Sequence, residues 1–269
     1  MPADSADPHK YSEILQRIQS ALEASRKIFE RFTPGKIAAE YKAAMDPVTE
    51  ADLAVNNLLH KELLRKGEGW LSEESVDDLS RLQQQRMWIV DPLDGTREFV
   101  AGIPEYCISI AYAENGRAVA GGICNPATGE VFLGAIGLGT IYNGKPVKAS
   151  EQSVLRGATI LASRSETKRG EWKRFDSAEF NVRQMGSVAY KLALVAAGLA
   201  DATFSLVPKH EWDVAAGAAL IESAGGFFCT LDDTPLHCNR EKPLIRGLVA
   251  GAPGLRKELM PVVRSAINS

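Results

Sequence analysis

Three apolar runs, Cys107 to Ala113, Ala118 to Ile123 and Glu130 to Ala135, are joined by short turns at Asn115-Gly116 and at Asn125 to Gly129. Links this short leave no room for a crossover helix, so the runs pair antiparallel as a meander. Asn143-Gly144 marks a third turn, after which the pattern changes. From about residue 150, strand-like runs at 159–162, 202–206, 226–230 and 246–250 alternate with helical patterns at 187–199, 213–224 and 254–267. Ahead of the meander, Ile14, Leu15, Ile18, Leu22, Ile28, Phe29 and Phe32 fall near helical spacing, and Thr33-Pro34-Gly35 ends that helix. After a loop to Pro47, Thr49 and Asp52 have the spacing of a capping box, and Gly67 and Gly69 close the second helix. Met87 to Val90 reads as a short buried strand. The chain is therefore expected to be α/β with an α+β N-terminal half. Its two domains are expected at 1–150 and 151–269, with ligand sites on the seam between them.

The 269 residues are 45% hydrophobic and 24% charged, with a formal net charge of -3. That balance offers no basic surface for a nucleic-acid polymer. Cys107, Cys124, Cys229 and Cys238 form no C-x-x-C pair and read as buried free thiols in a reducing compartment. The polar start, Met1 to Pro8, has no apolar core of a signal peptide, and Lys191 and Asp201 interrupt the most apolar stretch. A cytoplasmic protein with no membrane contact is expected. No P-loop, G-x-G-x-x-G, G-x-S-x-G or H-E-x-x-H pattern occurs.

Chemistry concentrates in Trp88-Ile89-Val90-Asp91-Pro92-Leu93-Asp94-Gly95-Thr96. An apolar strand runs into two carboxylates three residues apart. They can share one hard cation or hold two, with the Leu93 carbonyl as a further oxygen ligand. Amides after Gly95 can face a phosphate. The same residue types also make a plain surface turn. Glu73, in Leu71-Ser72-Glu73-Glu74-Ser75, is either a ligand or part of a solvated acidic loop. Asp213 either joins the site or only serves the helix it opens. Asp46, Thr49 and Asp52 make a third acidic spot, where capping alone accounts for Thr49 and Asp52. Carboxylates without histidine ligands point to magnesium rather than zinc.

In order, the segments 71–75, 91–96 and Trp212-Asp213-Val214-Ala215-Ala216-Gly217 resemble the inositol monophosphatase superfamily of metal-dependent, lithium-sensitive phosphatases. The resemblance runs from the first helix to the last strand. It implies an αβαβα layered sandwich of the inositol monophosphatase and fructose-1,6-bisphosphatase type, often homodimeric. It implies that Glu73, Asp91 and the Leu93 carbonyl bind one Mg2+, that Asp91, Asp94 and Asp213 bind a second, and that a third binds weakly near Glu73. Thr96 resembles the threonine that orients the attacking water, with Asp46 as its acidic partner, and the Gly95 and Thr96 amides hold the phosphate.

Finer motifs point within the superfamily. Arg97-Glu98-Phe99 is similar to the Lys-Glu-Phe of 3'(2'),5'-bisphosphate nucleotidases, where inositol phosphatases more often have Thr-Asn-Phe. The segment Ala162 to Ser165 and the triplet Glu211-Trp212-Asp213 are also similar to the nucleotidases. Leu206 stands where inositol phosphatases commonly carry a glutamate for inositol hydroxyls. Gly186 and Ser187 match the substrate loop, although Ser187 also suits a helix N-cap. Arg97 either contacts a second phosphate or faces solvent. The resemblance thus implies hydrolysis of adenosine 3',5'-bisphosphate to AMP. An inositol-1-monophosphatase or broad sugar-phosphate phosphatase is the nearest alternative, and an inactive partner-binding member a remoter one.

Overall fold

The computed structural model describes residues 8–41, 47–176 and 178–268. Helix α1 (Pro8–Phe29) is followed by a small ladder, β1 (Glu40–Tyr41) with β2 (Pro47–Val48), and by α2 (Glu50–Leu63). Strands β3 (Gly69–Ser72) and β4 (Arg86–Asp94) precede the short helix α3 (Thr96–Ala101). The meander then comprises β5 (Cys107–Glu114), β6 (Arg117–Asn125), β7 (Glu130–Ala135), β8 (Gly139–Tyr142) and β9 (Lys145–Val147). Strands β3 to β9 form one seven-stranded sheet in sequence order, antiparallel except where β3 lies parallel to β4.

The second half runs β10 (Thr159–Ser163), α4 (Arg164–Lys168), β11 (Asn181–Met185), α5 (Val188–Ala196), β12 (Ala202–Ser205), β13 (Lys209–His210), α6 (Glu211–Ser223), β14 (Phe227–Thr230), β15 (Leu244–Ile245), β16 (Leu248–Gly251) and α7 (Arg256–Asn268). Its five-stranded sheet has the order β11-β10-β12-β16-β14, parallel across β11, β10 and β12 and antiparallel beyond.

Alternation along β4 shows how the layers close. Trp88 and Val90 point to one face and pack with Ile18 and Leu22 of α1 and Val55 and Leu59 of α2. Met87 and Ile89 point to the other and pack with Leu192 of α5 and Val214 and Ala215 of α6. A strand covered on both faces carries a continuous apolar run, as here. Helices α5 and α6 also meet Leu161, Leu248 and Ala250 of the second sheet. That sheet's far face, through Phe204, Phe227 and Val249, packs on Leu259 and Val263 of α7. The result is an αβαβα sandwich whose middle layer is α5 and α6. Gly217 permits their close approach, since a Cβ there would sit 2.4 Å from Leu192 Cβ.

The expected helices and meander are present, with shifted limits. Helix α1 begins at Pro8, six residues before Ile14, and ends at Phe29 rather than Phe32. Helix α2 stops at Leu63, and Gly69 belongs to a strand instead of closing the helix. Strand β4 extends through the acidic motif to Asp94. Elements β3, α3, α4 and β11 were not expected. All four cysteines are free and buried. Among the described residues, no helix is long and apolar enough to cross a membrane.

Candidate active site

Where β4 passes the end of β5, Asp91 pairs with Ser109 and Asp94 with Cys107, so one extra residue bulges from β4. Pro92 has no N–H to give the ladder, and the Leu93 amide donates instead to Asp91 Oδ1 at 3.0 Å. A bulge bends its strand and re-aims side chains. Gly95 then turns the chain with φ 95° into α3. A Cβ at 95 would stand 2.8 Å from the Glu105 carbonyl, so both the angle and the space require glycine.

Asp213 arrives from the second half of the chain. It lies in the first turn of α6 and accepts the His210 amide through Oδ2 at 2.8 Å. It is therefore both a helix cap and a site carboxylate, because one ligand oxygen from each of Asp91, Asp94 and Asp213 lies within 4.8 Å of the others. Burial, then the charges of Glu73, Asp94 and Asp213, pushes the Asp91 carboxyl well above its usual range. Burial, then Asp94 and Glu73, does the same to Asp213. Carboxylates gathered out of water at such a cost are a donor set that fits a hard divalent cation.

The trio opens on a cavity of about 380 Å³. Glu73, Leu93, Gly95, Thr96 and Arg97 line it from the first half, and Gly186 and Ser187 from the second. Every predicted site residue is thus brought together except Asp46, which lies outside the described residues. Thr96 Oγ1 is 2.9 Å from the Leu93 carbonyl and 3.1 Å from Asp52 Oδ1, and its single proton serves one of them at a time. Asp52 Oδ2 accepts the Thr49 amide and hydroxyl at 2.7 and 2.6 Å. The capping box is therefore real, and its carboxylate also reaches Thr96 of the acidic motif. Burial raises Asp52 to about 6, against the hydrogen bonds from Thr49.

Ser187 likewise has two roles. It caps α5 by accepting the Tyr190 amide at 3.0 Å, and it donates to Asp94 Oδ2 at 2.7 Å. The absent side chain of Gly186 makes room for Glu98, whose Cδ would be 2.4 Å from a Cβ there.

Several lining residues carry no sequence signal. Arg169, Lys191 and Lys209 face the cavity. Lys191 is buried, donates to the Ser187 carbonyl at 2.9 Å, and is lowered to about 8 by that burial. His210 and Trp212 stack face to face at 4.3 Å on the rim. Leu206 does not line this cavity. It borders another, of about 450 Å³, with Trp172, Phe175 and Phe204.

Comparison with known proteins agrees with this geometry. The profile described as the inositol monophosphatase family matches residues 10–268. Inositol monophosphatase 3 of Solanum lycopersicum is 36% identical over 228 residues, covering 79% of this chain and 85% of that protein. Nus factor SuhB of Xylella fastidiosa is 36% identical over 238 residues, covering 84% of each. The crystal structure of extragenic suppressor protein suhB from Bartonella henselae superposes with a TM-score of 0.79 at 28% identity, covering 94% of this chain and 98% of that one. The chain belongs to the inositol monophosphatase family and is a phosphatase.

Proposed function

We propose that the chain is a magnesium-dependent phosphomonoesterase whose preferred substrate is a small ester with a second anionic group, a 3'(2'),5'-bisphosphate nucleotide. The observation that carries the metal chemistry is the convergence of Asp91, Asp94 and Asp213 within 4.8 Å on one cavity. Glu73, Asp91 and the Leu93 carbonyl are assigned to one magnesium, Asp91, Asp94 and Asp213 to a second, and Glu73 to a third, weaker one. Bound magnesium lowers the pKa of a water and neutralises phosphoryl charge. The Thr96 hydroxyl, donating to Leu93 or Asp52, keeps a lone pair to accept from and orient that water. The Gly95 and Thr96 amides are assigned to the phosphate, and its remaining charge faces Lys191 across the cavity. Asp46, outside the described residues, keeps its assignment as an acidic partner of Thr96 from the family resemblance, while the carboxylate that stands at 3.1 Å from that hydroxyl is Asp52.

The nucleotide reading is supported by Arg97, Arg169, Lys191 and Lys209 on one cavity and by the aromatic His210–Trp212 pair that also lines it. The test is phosphate release with magnesium from adenosine 3',5'-bisphosphate, inositol 1-phosphate and fructose 1,6-bisphosphate side by side. The nucleotide is expected to be hydrolysed with the highest kcat/KM. Preference for inositol 1-phosphate would replace the substrate reading and keep the metal assignment. No release from any of them would overturn all three substrate readings and point to another phosphate ester.

A further inference from the structure

We infer that Glu105 is a positioning residue of the active site, holding the strained Gly186–Ser187 turn that aims Asp94; this rests on the assignment of Asp94 as a metal ligand. Ser187 has φ 51°, a left-handed value that a serine adopts only when its surroundings impose it. Those surroundings grip it on three sides. Its hydroxyl donates to Asp94 Oδ2, its carbonyl accepts from Lys191 Nζ, and the amide before it, that of Gly186, donates to Glu105 Oε2 at 2.7 Å. The same turn brings the Ala189 amide to Asp94 Oδ2 at 2.6 Å. One carboxylate oxygen of Asp94 is therefore fixed entirely by the second half of the chain.

Glu105 reaches this turn from the loop between α3 and β5, and it is itself held. Its Oε2 also accepts from Arg164 Nη2 at 2.5 Å, at the start of α4. Its carbonyl lies beneath Gly95, where a Cβ would come within 2.8 Å. One residue thus ties the turn after Asp94 to the ends of β10 and β11 on the neighbouring sheet. Hydrogen bonds to a ligating carboxylate orient it, and their loss weakens metal binding without removing a ligand.

The test measures Mn2+ binding to the protein alone by calorimetry, together with the magnesium dependence of turnover. Glu105→Ala is expected to weaken Mn2+ binding about 10-fold or more. It is expected to raise the magnesium needed for half-maximal rate in parallel, while kcat recovers at saturating magnesium. Glu105→Gln keeps an oxygen for the Gly186 amide and is expected to recover most of the affinity. Wild-type affinity in Glu105→Ala overturns the inference, and so does an equal loss in Glu105→Gln. Should Glu105→Ala not fold, Arg164→Ala frees the same carboxylate, and unchanged Mn2+ affinity there overturns it equally. A wild-type protein that binds no Mn2+ would instead remove the metal reading itself.

Discussion

Ser187 donates a 2.7 Å hydrogen bond to Asp94, and these residues lie 93 positions apart on opposite sides of the seam. The bond joins the cap of α5 to the end of the acidic strand. Neither half of the chain alone can place the Asp94 carboxylate.

Asp94→Asn is expected to reduce kcat/KM at saturating magnesium by about 10²-fold or more, since an oriented charge at the reacting centre is lost. The metal-free variant is expected to melt no lower than wild type. Asp94 presses on Asp91 and Asp213, and neutralising it relieves both. Thermal melts in chelator, paired with rates, check this. Wild-type turnover would remove Asp94 from the mechanism, and a large loss of stability would make its role structural.

Gly95→Ala is expected to destabilise the fold by about 2 kcal/mol or more and to abolish turnover, because φ 95° and a backbone clash act together. The clashing atom is the Glu105 carbonyl, which has no rotamer to escape into. Urea denaturation and a phosphate-release assay on the folded fraction check it. A variant of wild-type stability and activity would mean that the bulge and turn shift freely.

The acidic motif was legible because its parts are local. An apolar strand, a proline and a glycine turn set the two carboxylates close by spacing, but a plain surface turn uses the same residue types, so the roles of Asp91, Leu93, Asp94, Gly95 and Thr96 came with the ordered motifs. Asp213 and Glu73 were legible only through the order of motifs, since each has a complete local explanation as a cap or a loop residue. Asp52 was half legible: its capping box shows in sequence, but its bond to Thr96, 44 residues away, does not. Glu105 gave no signal, because its meaning lies in its bonds to Gly186 and Arg164, far along the chain, and Arg169, Lys191 and Lys209 gave none, because only the folded cavity brings them beside the acidic motif. Strand β11 was missed for a different reason. Its first four residues are exposed, so no period-two burial pattern is written into Asn181 to Met185.

Arg81→Ala is expected to cost about 1–3 kcal/mol, the usual loss when buried polar groups lose their hydrogen-bond partner, since Asp77 itself is exposed. Arg81 is 2% exposed. It bonds Asp77 at 2.7 and 3.0 Å, Asn239 Oδ1 at 2.9 Å and the Arg240 carbonyl at 2.9 Å. Glu211, at the start of α6, holds the amides of Asn239 and Arg240 at 2.8 and 3.0 Å. The clamp therefore ties the loop after Glu73 to the helix that carries Asp213. Denaturation of Arg81→Ala, with magnesium titration of the folded protein, checks both effects. A loss below about 1 kcal/mol, the scale of an exposed pair, would deny the clamp.

Asp52→Asn is expected to change stability with a pH dependence whose sign is fixed. Burial pushes the folded carboxyl up to about 6, above the ordinary aspartate value of 3.8. The folded state therefore holds its proton longer than the unfolded chain does. Folding is penalised progressively as pH rises from about 4 to 6, and the penalty is constant above that. A neutral asparagine escapes the penalty and still accepts from Thr49 through its oxygen. In chelator, Asp52→Asn is thus expected to gain stability relative to wild type between pH 5 and pH 8. Its effect on turnover has the opposite sign, because the amide can no longer accept from both Thr49 and Thr96, and the Thr96 proton is left to the Leu93 carbonyl. Melting temperatures at the two pH values, with rates at pH 8, separate these effects. A stability difference that does not grow with pH would show that Asp52 is ionised in the fold without penalty, and that the Thr96 bond, not burial, governs its charge.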